Sequence, residues 1–96
     1  MKITIDNHSI DWFKEEFTIG AGQGIHLFGK VYGKTTIHDG FSVGIELAPL
    51  ANVRDQFEQD GLTLFTEKQD EWFFADHDLA IKFNDSLQEP EYFFAE

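Results

Sequence analysis

The chain has no cysteine, two prolines and one methionine among 96 residues, and it carries only 7 lysines and arginines against 18 aspartates and glutamates. Without cysteine there is no disulfide framework, no thiolate metal site and no cysteine nucleophile. The net charge of −11 and the lack of a basic stripe set the chain against a phosphate backbone or an anionic membrane. Nucleic acid and membrane are therefore not expected partners. No apolar run is long enough for a membrane-spanning helix, and the first residues alternate instead of forming a signal peptide. The expected location is the cytoplasm, where a high negative charge also favours solubility. Serine is scarce: Ser9, Ser42 and Ser86 are the only three, and none lies in a G-x-S-x-G nucleophile elbow.

What the chain has in quantity is phenylalanine, 11 residues, with two tryptophans, in a composition that is 42% hydrophobic. That is ordinary for a folded domain and unlike a disordered one. The length predicts a single domain over residues 1–96. A domain of this size buries roughly 60–65% of its unfolded surface, so each large apolar side chain counts.

Periodicity gives the elements. "MKITI" alternates as a short first strand, and Asp6 is placed to cap a helix over "NHSIDWFKEEF". In that helix Ile10, Phe13 and Phe17 share a face, and Trp12 sits at its edge. "IGAGQG", residues 19–24, breaks the helix. No Gly-Lys-Ser/Thr follows and the next segment is strand-like, so it is a linker and not a phosphate loop.

"IHLFGKVY" predicts a strand with Ile25, Leu27 and Val31 on one face and His26, Phe28, Lys30 and Tyr32 on the other, partly covered one. "FSVGIEL" predicts another, with Phe41, Val43, Ile45 and Leu47 on a buried face. Pro49 lies in a connection, and "DQFEQDGLTLFT" predicts a hairpin turning at Asp60-Gly61. The Thr66-x-x-Gln69 spacing predicts a short helix from Glu67 to about Phe74, followed by a strand at "LAIKFN" and an edge strand at "EYFFA". The class expected is α+β, with five to seven antiparallel or mixed strands, one longer N-terminal helix and one short helix.

Candidate chemistry is sparse. Asp76-His77-Asp78 clusters donor side chains, but adjacent side chains diverge, and a turn accounts for it. His38-Asp39 fits a turn completed by Gly40. Carboxylates are too numerous for any pair to stand out, and 96 residues leave little for a glycosidase-like cleft, so no enzymatic activity is expected.

The element order, together with "VYGKTTIHDGFSVGIEL" and "FEQDGLTLFT", resembles the HesB-like family, the A-type iron–sulfur cluster carrier fold. The pattern Tyr32-Gly33-Lys34…Gly40-Phe41-Ser42-Val43-Gly44 is most like a branch of small Gram-positive bacterial proteins, and the resemblance spans about residues 3–94. It implies a compact β-rich fold, often oligomeric, and a role in iron–sulfur cluster biosynthesis. In cluster-carrying members thiolates hold iron or a cluster. Here the first thiolate position falls on Thr35, or on Lys34 with another gap placement, and the C-terminal "EPEYFFAE" has no cysteine. Threonine is a poor ligand for cluster iron, so the resemblance implies a protein of the assembly process that is not itself a thiolate carrier. No cofactor is expected, and His38 with carboxylates is the one candidate for binding iron. The partner under that reading belongs to the iron–sulfur assembly machinery. The alternative is a ligand-free protein-interaction module of the same fold, homodimeric in one version. Its candidate contact is the loop of Tyr32, Gly33, Lys34, Thr35, His38 and Asp39, with the acidic face and the aromatic C-terminal tail beside it.

Overall fold

The structure, a computed structural model, describes residues 1–34 and 39–95, with backbone alone at 32, 34 and 39. Seven strands and two short α-helices follow one another as β1 (Ile3–Ile5), α1 (Asn7–Glu16), β2 (Gln23–Lys34), β3 (Asp39–Pro49), β4 (Val53–Gln59), β5 (Leu62–Glu67), α2 (Glu71–Phe74), β6 (Leu79–Asn84) and β7 (Glu89–Phe94). A 3-10 turn over Lys68–Asp70 leads into α2. The α+β class with mixed strands is therefore present. The N-terminal helix is modest, at ten residues.

The strands form two sheets, one in the order β1-β6-β7 and one in the order β3-β2-β5-β4. β1 runs parallel to β6, and β2 parallel to β5; β2–β3, β4–β5 and β6–β7 are antiparallel. The local signals explain most of these elements. Asp6 caps α1 by accepting from the Ser9 amide at 2.8 Å, and its other carboxylate oxygen accepts from the Phe83 amide at 2.8 Å. The cap thus also pins the start of α1 to the end of β6. Burial alone would raise the Asp6 pKa, but hydrogen bonding from Ser9 and from the Phe83 amide outweighs it and lowers it. At the β4–β5 turn, Asp60 and Gly61 both have positive φ, 52° and 82°, as a two-residue type I′ hairpin demands.

The core draws on nearly every element: Ile10 and Phe13 from α1, Ile25 and Leu27 from β2, Leu62 and Leu64 from β5, Phe73 and Phe74 from α2, and Leu79, Ile81 and Phe94 from the small sheet. β5 is buried on both faces: Leu62 and Leu64 lie in the core, and on the other face Phe65 is covered by the His26 ring, so Phe65 is as hidden as Leu64.

Two expectations change. Phe41, Val43, Ile45 and Leu47 point inward but stay half-buried, because β3 is an edge strand with only β2 beside it. Pro49 ends that edge strand, a position a proline tolerates. The second helix does not start at Glu67. Pairing with Val53 carries β5 through Glu67, and the cap is made one residue later than Thr66–Gln69, by Asp70 accepting from the Glu67 amide at 2.7 Å.

Candidate functional site

The β2–β3 hairpin holds both the loop expected from the sequence and the main polar cluster of the interior. β2 and β3 pair in register from Gln23↔Pro49 to Val31↔Phe41, shift, and close with Lys34↔Asp39. Thr35 and His38 lie outside the described residues. Tyr32, Gly33 and Lys34 end β2 and Asp39 opens β3. The glycines have geometric reasons. Gly33 and Gly40 take positive φ, 92° and 83°, on either side of the loop. Gly44 lies directly beneath the Phe28 ring, where an added Cβ would come within 2.5 Å.

The register also sets His26 opposite Glu46. His26 is 5% exposed; its Nδ1 lies 3.0 Å from Glu46 Oε1 and its Nε2 lies 2.7 Å from Asp70 Oδ2, both within hydrogen-bond distance. Phe65 stacks on its ring, with centroids 5.3 Å apart. The protonated ring, with an N–H on each nitrogen, can donate to both carboxylates at once. Burial by itself would lower its pKa. The bonds to Glu46 and Asp70, with the nearby charges of Asp70 and Glu67, more than reverse this and raise it.

The chemistry follows from that protonation state. In the protonated form, which the raised pKa favours, both nitrogens donate and no ring lone pair is left for a general base or a metal. His26 is a clamp: it fastens β2 to β3 through Glu46 and to the entry of α2 through Asp70. Sequence reasoning placed His26 only on a partly covered face and singled out neither carboxylate. The missing signal was register, since a hairpin folded about Gly33 and Gly40 brings Glu46 across from His26.

The other clusters disperse. Asp76 is exposed beside Arg54 at 3.9 Å, His77 Nδ1 donates to the Ala95 carbonyl at 2.9 Å, and Asp78 accepts from the Lys2 amide at 2.8 Å. Among the described residues no three histidine or carboxylate side chains gather closely enough to hold a metal ion. Nor is any helix among them long and apolar enough to cross a membrane.

The described residues thus form an α+β arrangement of two mixed sheets in which the buried histidine ties two strands to the start of α2. The chain's relatives give the family. It is 31% identical over 90 residues to a protein of Bacillus subtilis named pyruvate dehydrogenase inhibitor, covering 94% of this chain and 95% of the relative. It is 32% identical over 95 residues to an uncharacterised protein of Staphylococcus saprophyticus, covering 96% and 97%, and 26% identical over 95 residues to one of Staphylococcus aureus, at the same coverage. The chain belongs to the family of these proteins. No family model matches it, and no solved structure matches it.

These findings overturn the HesB-like resemblance and the iron–sulfur biosynthesis role drawn from it. The Bacillus subtilis relative is named a pyruvate dehydrogenase inhibitor, and nothing in the comparisons points to cluster assembly. The glycine pattern that suggested a carrier loop is explained by hairpin geometry: two turn glycines with positive φ and one glycine under an aromatic ring.

Proposed function

We propose that the chain is a non-enzymatic, single-domain inhibitor that acts in the cytoplasm by binding a protein, with pyruvate dehydrogenase as its target. The observation that carries this reading is its identity to the inhibitor-named Bacillus subtilis protein over almost the whole of both chains. The clamp chemistry of His26 supports a role without catalysis, and the action requires no cofactor. The contact assigned to the target is the hairpin loop of Tyr32, Gly33, Lys34, Thr35, His38 and Asp39, which joins the two longest strands.

The test is direct. Purified protein is added to the host's pyruvate dehydrogenase complex, and pyruvate-dependent NADH formation is followed while association is measured by sedimentation. The expected result is a concentration-dependent fall in rate with co-sedimentation. A full rate at saturating protein, with no association, would refute the reading. Alanine replacement of Tyr32, Lys34, Thr35, His38 and Asp39 together should weaken inhibition at least tenfold while leaving the melting temperature within a few degrees.

A further inference from the structure

The inward face of the β2–β3 hairpin outruns the core. Ile25 and Leu27 are fully buried, yet two positions beyond Gly29 on the same face Val31 is 59% exposed. Phe41 sits opposite Val31, and the Trp72 ring meets Phe41 edge-on at 5.2 Å. Trp72, on α2, is itself 54% exposed. Val43 follows Phe41 on the same face and lines a hollow with Leu87, Pro90 and Tyr92 of the β6–β7 hairpin, where Leu87 is 60% exposed. Thus three of the four large apolar side chains most exposed among the described residues border one end of one hairpin. Phe93, the fourth, lies apart on the small sheet.

Charge marks what this face accepts. Glu71 is exposed beside Trp72, and Glu89 and Glu91 line the hollow around Leu87. Lys30 is the cation that joins the adjoining hollow, against Glu89. Burial and the Glu89 charge both push the Tyr92 phenol up, so it stays neutral and adds no charge of its own. An exposed tryptophan next to Glu71, and an exposed leucine whose hollow carries Glu89 and Glu91, on a chain of net charge −11, are complementary to apolar residues interspersed with cations.

We propose that Val31, Phe41, Trp72 and Leu87 form a docking face for a protein segment that alternates apolar side chains with lysine or arginine. This rests on the reading of the chain as a protein-binding inhibitor, and places the main apolar contact beside the 32–39 loop, not only within it. A second copy of this chain is disfavoured as occupant because the same carboxylates would face each other.

The probes are two 14-residue synthetic peptides of alternating sequence, one of valine and lysine and one of valine and glutamate, added to the isotope-labelled full chain. The lysine peptide should shift the Trp72 indole and the amides of Val31, Phe41 and Leu87, and weaken at least tenfold between 50 and 500 mM salt. The glutamate peptide should not bind. Trp72→Ala and Leu87→Ala should each weaken the lysine peptide several-fold with unchanged melting temperature, Glu89→Gln with Glu91→Gln should do the same, and Phe93→Ala should not. The proposal fails if the lysine peptide leaves these signals unmoved at millimolar concentration, if both peptides bind alike, or if the shifts centre on Phe93. It also fails if the same signals move with protein concentration alone, which would mark self-association. Peptide binding without inhibition of pyruvate dehydrogenase would sink the assigned target and leave the face standing. Inhibition undiminished in Trp72→Ala and Leu87→Ala would sink the face and leave the target standing.

Discussion

The base and the tip of the β2–β3 hairpin share one alternating pattern and have opposite environments. At the base, Ile25 and Leu27 are wholly buried, and His26 on the reverse face is clamped between two carboxylates. At the tip, Val31 continues the inward series and is mostly exposed. What differs is what lies across from each position. The base is backed by β5, which is sealed on both faces, while the tip reaches past it with Trp72 alongside. The base holds the fold together, while Val31, nearest the tip, contributes little to the core.

Substitutions can break this contrast in graded steps. The largest effect is expected at Leu27→Ala, which should cost about 3–4 kcal/mol of unfolding free energy, since a fully buried leucine leaves a cavity. Val31→Ala at the tip should cost less than about 0.5 kcal/mol in the same denaturant titration. Equal losses at both sites would abolish the distinction.

Next come the clamp residues. Asp70→Ala leaves the His26 charge without its buried partner and should cost about 2–4 kcal/mol. Glu46 is half exposed, so Glu46→Gln should cost at most about 1 kcal/mol. The clamp also predicts a pH dependence. The folded-state pKa of His26 is raised, so its stabilising contribution is fully present below the unfolded value of about 6.5 and is lost as pH rises through the folded value. The stability gap between wild type and His26→Gln should therefore narrow from pH 6 to pH 9. A gap that widened would mean that the neutral ring is the stabilising form.

A separate effect lies away from the hairpin, at the helix cap. Asp6→Ala should cost about 1–2 kcal/mol at pH 7, because it frees the Ser9 and Phe83 amides. The Asp6 pKa is lowered, so this contribution is present above the unfolded value near 3.9 and is lost as pH falls through the folded one. Wild type and variant should converge in acid-unfolding curves below that range.

Local chemistry made much of the fold legible. Asp6 as a cap, the Ile10 and Phe13 face, the Asp60-Gly61 turn and the strand at Leu79–Asn84 all depend on neighbours within a few residues, and all are present. The start of the second helix was displaced because pairing with Val53 extends β5, a contact from a distant part of the chain. The glycine pattern around residues 33–44 misled for a related reason. Turn and close-packing glycines have the same spacing whether or not a ligand site lies between them, so the pattern could not distinguish a carrier loop from a hairpin.

By itself the sequence determined the α+β class, the element order and the exclusion of thiolate chemistry, because composition, periodicity and turn residues act locally. Only the tertiary structure decided that His26 is held by Glu46 and Asp70, that Trp72 packs against Phe41, and that Leu87 shares a hollow with Val43. The reason is separation along the chain. Asp70 is 44 residues from His26, and no local rule brings them together. The sheet register and the 3-10 turn do that, by deciding which of 18 similar carboxylates face one buried imidazole.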